Sequence, residues 1–229
     1  MRTFVVVLTV LACAAAAPAN AGHATDAWRA ASPSVVSVLP TWPGYEKPGF
    51  GAPPGTAPEG SGVAVREAGL IVTAAHVVAQ ATSVQVRDHA GETHDAEIVA
   101  VDGAADLALL RVAAAIEPIG IADEQPEYGA HVCIVSNAFG LGLSITCGIV
   151  SANRRSGIGF NSVEDFIQTD AAANPGTSGG ALVDGHGRLV GLVTGIFTME
   201  SDANAGVNFA TSIRLLNVRI DRMLESTGP

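Results

Sequence analysis

The chain of 229 residues has few basic groups, with 12 Lys and Arg against 22 Asp and Glu and a formal net charge of −10. Lysine is almost absent, since Lys47 is the single example. An acidic chain of this composition lacks the electrostatic footprint that binds phosphate backbones. We therefore expect no nucleic-acid partner and no binding to an anionic membrane surface.

Charged residues make up only 15% of the chain and aromatic residues 5%, whereas 48% is apolar. That apolar fraction is enough for a sizeable core and excludes a disordered chain. The 26 Gly and 12 Pro punctuate short apolar runs, which argues against a mostly helical bundle. Beyond the N-terminus no run approaches the roughly 20 apolar residues that span a bilayer. The length fits one large domain or two small ones.

Residues 1–21 predict a secretory signal peptide. Arg2 supplies a positive start, apolar and small residues follow, and an A-x-A cleavage site ends at Ala21. Pro18 cuts the apolar run short, which disfavours an uncleaved membrane anchor. A lipoprotein attached through Cys13 stays open as an alternative, because the residues before it resemble a lipobox. We expect an exported protein, periplasmic or secreted.

Export leaves two cysteines, Cys133 and Cys147, in a compartment where disulfides persist. They have neither CxxC spacing nor histidines at metal-ligand intervals, so the pattern does not predict zinc. A second candidate metal group is formed by His89, His94 and Asp95, but these residues fit a solvated hairpin better. We expect no metal and no cofactor.

Short apolar runs between turn-forming residues are typical of an all-β protein. Candidate strands lie at 34–39, 62–66, 69–73, 83–87, 96–101, 107–112, 131–136, 144–151, 163–169, 181–184, 189–197 and 206–210. They predict two six-stranded antiparallel β-barrels, at about residues 30–113 and 130–225, joined by a connector at about 114–129. Residues 40–60, rich in Pro and Gly, predict a long surface loop.

The C-terminal segment has a helical period instead. One face carries Ile213, Leu216, Ile220 and Leu224, and Ser212 precedes them as an N-cap candidate. We expect a C-terminal α-helix docked on the second barrel.

The two cysteines can be placed by strand register. If residues 137–143 form a hairpin loop, Ile134 lies opposite Thr146 and Cys133 opposite Cys147. Directly opposed Cβ atoms lie about 4.5–5.5 Å apart, close to disulfide reach. A disulfide and two buried thiols on facing strands both remain open.

Three short motifs carry the residue types of nucleophilic catalysis. They are GLIVTAAH, which ends at His76, ADLALLR, which places Asp106 before an apolar strand, and DAAANPGTSGG, a glycine-rich turn around Ser178. A serine hydroxyl is a poor nucleophile at neutral pH, so an imidazole must take its proton and a carboxylate must orient the imidazole. The three motifs together predict a catalytic triad.

The glycines around Ser178 predict backbone N–H groups that converge on an oxyanion. We assign this oxyanion hole to the backbone of Gly176, Thr177 and Ser178, with the first and last as the principal donors. Each donor of this kind contributes roughly 3–4 kcal/mol to transition-state stabilisation.

In these motifs the chain resembles a trypsin-like serine protease, most closely the HtrA/Deg branch. The resemblance runs from about residue 61 to 224 and includes SNAFGLG at 136–142, TCGIVS at 146–151, FIQTD at 166–170, GLVTG at 191–195 and GVNFA at 206–210. It implies that His76 is the general base, Asp106 the orienting acid and Ser178 the nucleophile, in a cleft between the barrels. It further implies a serine endopeptidase whose partners are unfolded or misfolded polypeptides.

The resemblance also implies a specificity pocket and a peptide-binding strand. The residues concerned are Ala172, Thr194, Gly195, Ile196, Val207 and Phe209. Ala172 would form the pocket base, and Thr194 occupies the position that supports the acid. Burying an unpaired Arg or Lys in such a pocket would cost several kcal/mol. Cleavage is therefore expected after Val, Ala, Ile or Leu.

The chain departs from the branch in two respects. Thr177 replaces the usual Asn before the nucleophile, and no PDZ domain follows the helix within the 229 residues. Since only the backbone of Thr177 is needed, we expect activity to survive. We expect a protease domain alone, spanning residues 22–229, and the oligomeric state stays open.

Other classes fit less well. Residues 176–180 match the G-x-S-x-G elbow of α/β-hydrolases, but a strand-like run follows and the downstream His186 lies in a Gly-rich turn. A Ser–Lys hydrolase would need Lys47, which lies in the Pro-rich loop. A catalytically silent protease-fold module that binds exported proteins or peptides remains the alternative function.

Overall fold

The computed structural model describes residues 23–42, 59–198 and 204–227. The helices in these ranges are α1 (His23–Ala31), α2 (Ala75–Val78) and α3 (Ile213–Ser226). The strands are β1 (Val35–Thr41), β2 (Gly60–Ala64), β3 (Leu70–Ala74), β4 (Ser83–Arg87), β5 (Thr93–Asp102), β6 (Leu107–Val112), β7 (His131–Ser136), β8 (Ser144–Arg155), β9 (Phe166–Thr169), β10 (Ala181–Asp184), β11 (Leu189–Thr198) and β12 (Asn204–Ser212). The predicted signal peptide and most of the predicted loop at 40–60 lie outside the described residues.

The strands form two closed antiparallel barrels, which confirms the predicted fold class. The first closes in the order β1-β2-β3-β6-β5-β4, and the second in the order β10-β11-β12-β9-β8-β7. Read from β7, the second ring runs β7-β8-β9-β12-β11-β10. The two barrels therefore have the same topology.

Alternating side chains divide the core into three parts. Ile71 and Leu110 lie inside the first barrel, and Ile134 and Ile167 lie inside the second. The neighbouring positions on the same strands point outward into a third cluster that joins both barrels and the helices α1 and α3. Its members include Val72, Leu109, Val135, Leu192 and Leu216, all essentially inaccessible to solvent. Period-two alternation thus builds both barrel interiors and the interface between them.

The helix α3 begins where the sequence predicted. The Ser212 side chain accepts a hydrogen bond from the backbone N–H of Leu215, at 3.2 Å, so it is the N-cap. Met223 is buried on the inner face, whereas Leu224 is only partly buried. The helix packs on β11 and β12 but also on β5 and β6. Docking on the second barrel alone was therefore too narrow an expectation.

The hairpin of β7 and β8 has the predicted register. Ile134 pairs with Thr146 and Cys133 pairs with Cys147, and a disulfide joins the two cysteines. Cys133 is fully buried in the cluster between the barrels. The disulfide links β7 and β8 where α1 packs on them. The strand patterns did not predict this helix.

In the ranges that the structure covers, every helix is too short or too polar to cross a bilayer.

Candidate active site

His76 and Asp106 are brought together by strand pairing in the first barrel. The strands β3 and β6 pair with Ala74 opposite Leu107. The residues that follow β3 therefore lie next to the residues that precede β6. The backbone N–H of Ala75 donates to the Asp106 carbonyl at 3.0 Å. His76 follows in α2, a single turn that leads away from β3.

The Asp106 carboxylate makes two hydrogen bonds to the histidine. The backbone N–H of His76 donates to Asp106 Oδ1 at 2.9 Å, and the ring Nδ1 lies 2.7 Å from Oδ2. The Asp106 side chain is 15% exposed and that of His76 is 52% exposed. A carboxylate at Nδ1 favours the tautomer whose Nε2 can accept a proton. The pair therefore has the geometry of a base and its orienting acid.

Ser178 lies in a turn between β9 and β10, residues 174–180, which we call the serine turn. Gly176 and Gly179 adopt left-handed conformations, with φ of +93° and +82°. A Cβ on Gly179 would overlap the Ser61 carbonyl and the Thr73 hydroxyl, so close contact with the first barrel requires glycine there. The glycine-rich composition is thus explained by backbone conformation and by packing.

The serine turn is hydrogen-bonded to β2 of the first barrel. The backbone N–H of Ser61 donates to the Ser178 carbonyl at 2.9 Å, and the Ser61 hydroxyl donates to the Gly176 carbonyl at 2.7 Å. Since β2 pairs with β3, these bonds bring Ser178 to the strand that leads into His76. Among the described contacts no hydrogen bond joins the Ser178 hydroxyl to the imidazole, and such bonds commonly tighten only when substrate binds.

Two of the three assigned oxyanion donors are available. Within the described part of the chain, the N–H groups of Gly176 and Ser178 have no intramolecular acceptor. The N–H of Thr177 instead donates to the Asn174 carbonyl at 3.0 Å, as does its hydroxyl at 2.7 Å. Thr177 therefore shapes the serine turn, and the assigned hole has two donors rather than three.

The segment assigned to the pocket base is held by side chains that the sequence analysis missed. The Asn208 amide donates to the Ala171 carbonyl at 2.8 Å, and the Thr146 hydroxyl donates to the Ala172 carbonyl at 2.7 Å. Asp170 accepts from the backbone N–H of Ile149 at 2.7 Å and is exposed, as expected of a loop residue before the site. Both missed residues lie in quoted motifs, but their partners are set by tertiary structure alone.

The other assigned pocket residues lie on β11 and β12. The Thr194 hydroxyl donates to the Leu192 carbonyl at 3.2 Å and lies 2.8 Å from the Thr211 hydroxyl, and no described contact joins it to Asp106. Phe209 is buried, Val207 is half-buried, and Phe209 packs edge-on against Phe160. Gly195 pairs with Phe209 in the sheet. The Ile196 side chain lies outside the described residues.

His89, His94 and Asp95, the residues considered as a metal group, each have a different partner. His94 pairs with Asp88, with Nε2 2.8 Å from Oδ2, whereas the His89 ring packs near Trp28. Asp95 accepts a hydrogen bond from Gln85 instead. Burial raises the pKa of Asp88, but the hydrogen bonds from His94 and from backbone N–H groups outweigh it and lower the pKa overall.

Two barrels of the same topology, with a His–Asp pair on one and a glycine-rich serine turn on the other, define the trypsin-like class of serine peptidases. Residues 60–192 match the family model of the trypsin-like peptidase domain. The chain belongs to this family, within its HtrA branch.

Relatives and solved structures support that branch. The chain is 39% identical over 170 residues to the periplasmic serine endoprotease DegP of Salmonella typhimurium, and 35% identical over 170 residues to the periplasmic pH-dependent serine endoprotease DegQ of Escherichia coli. Each alignment covers 72% of this chain, but only 36% of DegP and 37% of DegQ. The chain thus spans a little over a third of the length of these relatives.

Two solved structures superpose on most of the chain. The HtrA-type protease AlgW with a tripeptide has a TM-score of 0.76 and 34% identity, covering 88% of this chain and 64% of that one. The serine endoprotease from Yersinia pestis has a TM-score of 0.73 and 32% identity, covering 88% and 66%.

Proposed function

We propose that the chain is an exported serine endopeptidase that cleaves unfolded or misfolded polypeptides through an acyl-enzyme on Ser178. The observation that carries the proposal is the pair of hydrogen bonds from His76 to Asp106, with the serine turn bonded to the neighbouring strand. The departure at Thr177 is compatible with catalysis, because its N–H and its hydroxyl both donate to the Asn174 carbonyl and the two remaining donors are backbone groups of Gly176 and Ser178.

The first half of the reaction forms an ester. The Ser178 hydroxyl oxygen attacks the scissile carbonyl carbon while His76 Nε2 takes its proton. The oxyanion accepts hydrogen bonds from the N–H groups of Gly176 and Ser178. The C–N bond then breaks, and the imidazolium gives its proton to the leaving amine. Asp106 stays ionised and stabilises the imidazolium throughout.

The second half hydrolyses the ester. Water attacks the acyl carbon and gives a proton to His76, which passes it to the Ser178 oxygen as the ester bond breaks. The enzyme returns to its starting state, and the reaction requires no cofactor.

The substrate pocket favours small and medium apolar side chains. Ala172 stands where a cation-binding site would need a carboxylate, and the Asn208 and Thr146 side chains are engaged with backbone carbonyls. Each methylene buried there gains roughly 0.8 kcal/mol. We expect most cuts after Val, Ala, Ile or Leu, measured by peptide mapping of a digested unfolded protein. A majority after Arg or Lys would overturn this assignment of the pocket.

The likeness to periplasmic proteases supports export. We propose cleavage near Ala21, with lipidation at Cys13 as the alternative. Mass determination of the mature N-terminus distinguishes a free amine after Ala21 from an acylated cysteine.

A fluorophosphonate probe tests the triad, because covalent labelling requires an activated serine. We expect the wild type to be labelled and Ser178→Ala to be unlabelled, with kcat reduced by about 10⁶-fold. Ser151→Ala, which alters an exposed serine on β8, is the matched control and should label normally. Peptide hydrolysis by purified Ser178→Ala would overturn the assignment. A wild type that binds unfolded peptides but never labels would favour the silent binding module.

A further inference from the structure

The residues that lead into Asp106, 102–106, form a tight turn between β5 and β6, which we call the aspartate turn. Asp106 itself has a φ of +55°, in the left-handed region. Aspartate tolerates this region better than most residues, but the conformation still costs energy and persists only where neighbours enforce it. The contacts around the aspartate turn therefore bear directly on the orientation of the Asp106 carboxylate.

Asp102 joins the aspartate turn to the C-terminal helix. Its Oδ1 accepts hydrogen bonds from the backbone N–H groups of Ala104 and Ala105, at 3.1 and 3.3 Å. Its Oδ2 accepts from Nε of Arg219 on α3. The two side chains are 11% and 15% exposed, so solvent screens the pair weakly. The hydrogen bond from Arg219 lowers the pKa of Asp102, which keeps this carboxylate ionised.

A second contact comes from the loop that precedes β9, residues 156–165. The backbone N–H of Val163 donates to the Ala104 carbonyl at 2.9 Å, and the Asn161 amide donates to the Ala105 carbonyl at 3.3 Å. This loop is itself braced, since the Glu164 carboxylate accepts four backbone N–H groups within it, from residues 158–161. Helix α3 and this loop both follow β7 in the chain, and they converge on one turn of the first barrel.

We propose that Arg219, acting through Asp102, and Asn161 are positioning residues for Asp106, so that the second barrel sets the orientation of the acid on the first. The inference rests on the proposed triad. When these contacts are lost, the aspartate turn relaxes away from its left-handed conformation, and the carboxylate leaves His76 for part of the time. Proton transfer then slows, whereas peptide binding on β11 and in the pocket is unchanged.

The experiment compares kcat and KM of Arg219→Gln, Arg219→Lys and Asn161→Ala, each measured well below its unfolding temperature. We expect Arg219→Gln to lower kcat by about ten- to a hundredfold, since a small misplacement of a catalytic group has effects of this order. KM should stay within about twofold, and Arg219→Lys should restore most of the loss. Asn161→Ala should lower kcat in the same way.

Matched controls remove similar bonds elsewhere. Arg66→Gln breaks another ion pair between α3 and the first barrel, in which Arg66 lies 2.7 Å from Asp221. Asn153→Ala removes a hydrogen bond of 2.6 Å from the side-chain amide to the Pro126 carbonyl. This bond lies on the second barrel, away from the aspartate turn. Both should keep kcat within about twofold.

Proton NMR gives a readout independent of turnover. The Nδ1 proton of His76, shared with Asp106, should give a strongly deshielded resonance that weakens in Arg219→Gln and persists in Arg66→Gln. A wild-type kcat in both Arg219→Gln and Asn161→Ala, or an equal loss in the controls, would overturn the inference. If Ser178→Ala is inactive while Arg219→Gln and Asn161→Ala are both fully active, this inference is rejected and the proposed function is retained. If the wild type never labels, the proposed function fails, and the NMR comparison still decides the positioning role.

Discussion

The two barrels share one topology but contribute to the candidate site in different ways. In the first barrel, the reactive groups are side chains placed by register, because β3 and β6 pair and Ala74 lies opposite Leu107. In the second, the candidate element is a turn whose conformation depends on Gly176 and Gly179. Among the described contacts, the N–H groups of Gly176 and Ser178 in this turn have no intramolecular acceptor. Pairing within one sheet can align two side chains, whereas a cradle of backbone donors needs left-handed positions outside the strands.

Each barrel also holds the reactive turn of the other. Ser61 of the first barrel bonds the serine turn through its backbone and its hydroxyl. In return, Arg219 on α3 and Asn161 in the loop before β9 donate hydrogen bonds to residues of the aspartate turn. The apolar cluster between the barrels keeps these reciprocal contacts in place. Hence neither half of the site is expected to be competent alone, even though each barrel closes its own sheet.

Among the substitutions that compare the positioning elements of the two barrels, a change of the acid on the first barrel should have the largest effect. Asp106→Asn keeps the size of the side chain but removes the charge that orients His76, and we expect kcat to fall by about 10⁴-fold. Asp88→Asn is the control, since Asp88 pairs with His94 at a similar distance in the same barrel. Steady-state kinetics on one peptide substrate measure both. Equal losses in the two variants would show that the charge acts on the fold rather than on the site.

The turn of the second barrel should be nearly as sensitive, but through its backbone. Gly176 has a φ of +93°, and a Cβ there would overlap the Asn137 carbonyl, so Gly176→Ala combines strain with a clash. We expect it to lose about 3 kcal/mol of unfolding free energy, together with most of the activity. Gly91 in the β4–β5 hairpin has a φ of +88° with no atom within 4 Å of an added Cβ. Gly91→Ala should therefore cost about 1 kcal/mol and leave activity intact. Denaturant unfolding and peptide kinetics compare them, and equal losses would contradict the role of packing.

Features set by local sequence were predicted in both barrels. Patterns of apolar residues gave the bounds of β4, β6, β7 and β10, and the triad motifs lie at the ends of the strands or in the expected turn. Hairpin geometry placed Cys133 opposite Cys147 without any knowledge of the fold. These features depend on local period and on neighbouring strands, which a sequence displays directly.

Features that depend on distant partners were not predictable. The helix α1 was missed because its nine residues carry a single large apolar side chain, Trp28, beside four alanines, and the helix packs on the second barrel. Arg219 faces Asp102 across 117 positions, and Asn161 faces Ala105 across 56. No local pattern marks such pairs. The sequence likewise could not show that the Thr177 N–H, which we assigned to the oxyanion hole, donates instead to the Asn174 carbonyl.

The disulfide distinguishes the barrels further, since among the described residues only the second is cross-linked. Alkylation without reductant, followed by mass spectrometry, should find neither Cys133 nor Cys147 modified. Reduction should lower the unfolding free energy by about 2 kcal/mol, because the bond closes a loop with a sequence separation of 14. In the double variant Cys133→Ala and Cys147→Ala, reductant should have no effect. Two alkylated cysteines in the untreated protein would contradict the bond.

The smallest effect concerns two ion pairs that join α3 to the first barrel, Arg219–Asp102 and Arg66–Asp221. The hydrogen bond from Arg219, opposed by burial, lowers the pKa of Asp102 below its ordinary value of 3.8. A carboxyl group whose pKa is lower in the folded state stabilises the fold above its unfolded value, and that contribution is lost as the pH falls through the folded pKa. Arg219→Gln should therefore cost about 1.5 kcal/mol of unfolding free energy at neutral pH. The difference from wild type should shrink as the pH falls below 3.8.

Arg66→Gln is the control for that pH dependence. The side chains of Arg66 and Asp221 are 31% and 59% exposed, so solvent screens their attraction. Such a pair contributes about 0–1 kcal/mol. Denaturant unfolding of the wild type and the two variants between neutral pH and about pH 2.5 measures both pairs. A gap for Arg219→Gln that stays constant across this range would show that Asp102 stabilises the aspartate turn without its charge, and that packing of the long Arg219 side chain accounts for the loss.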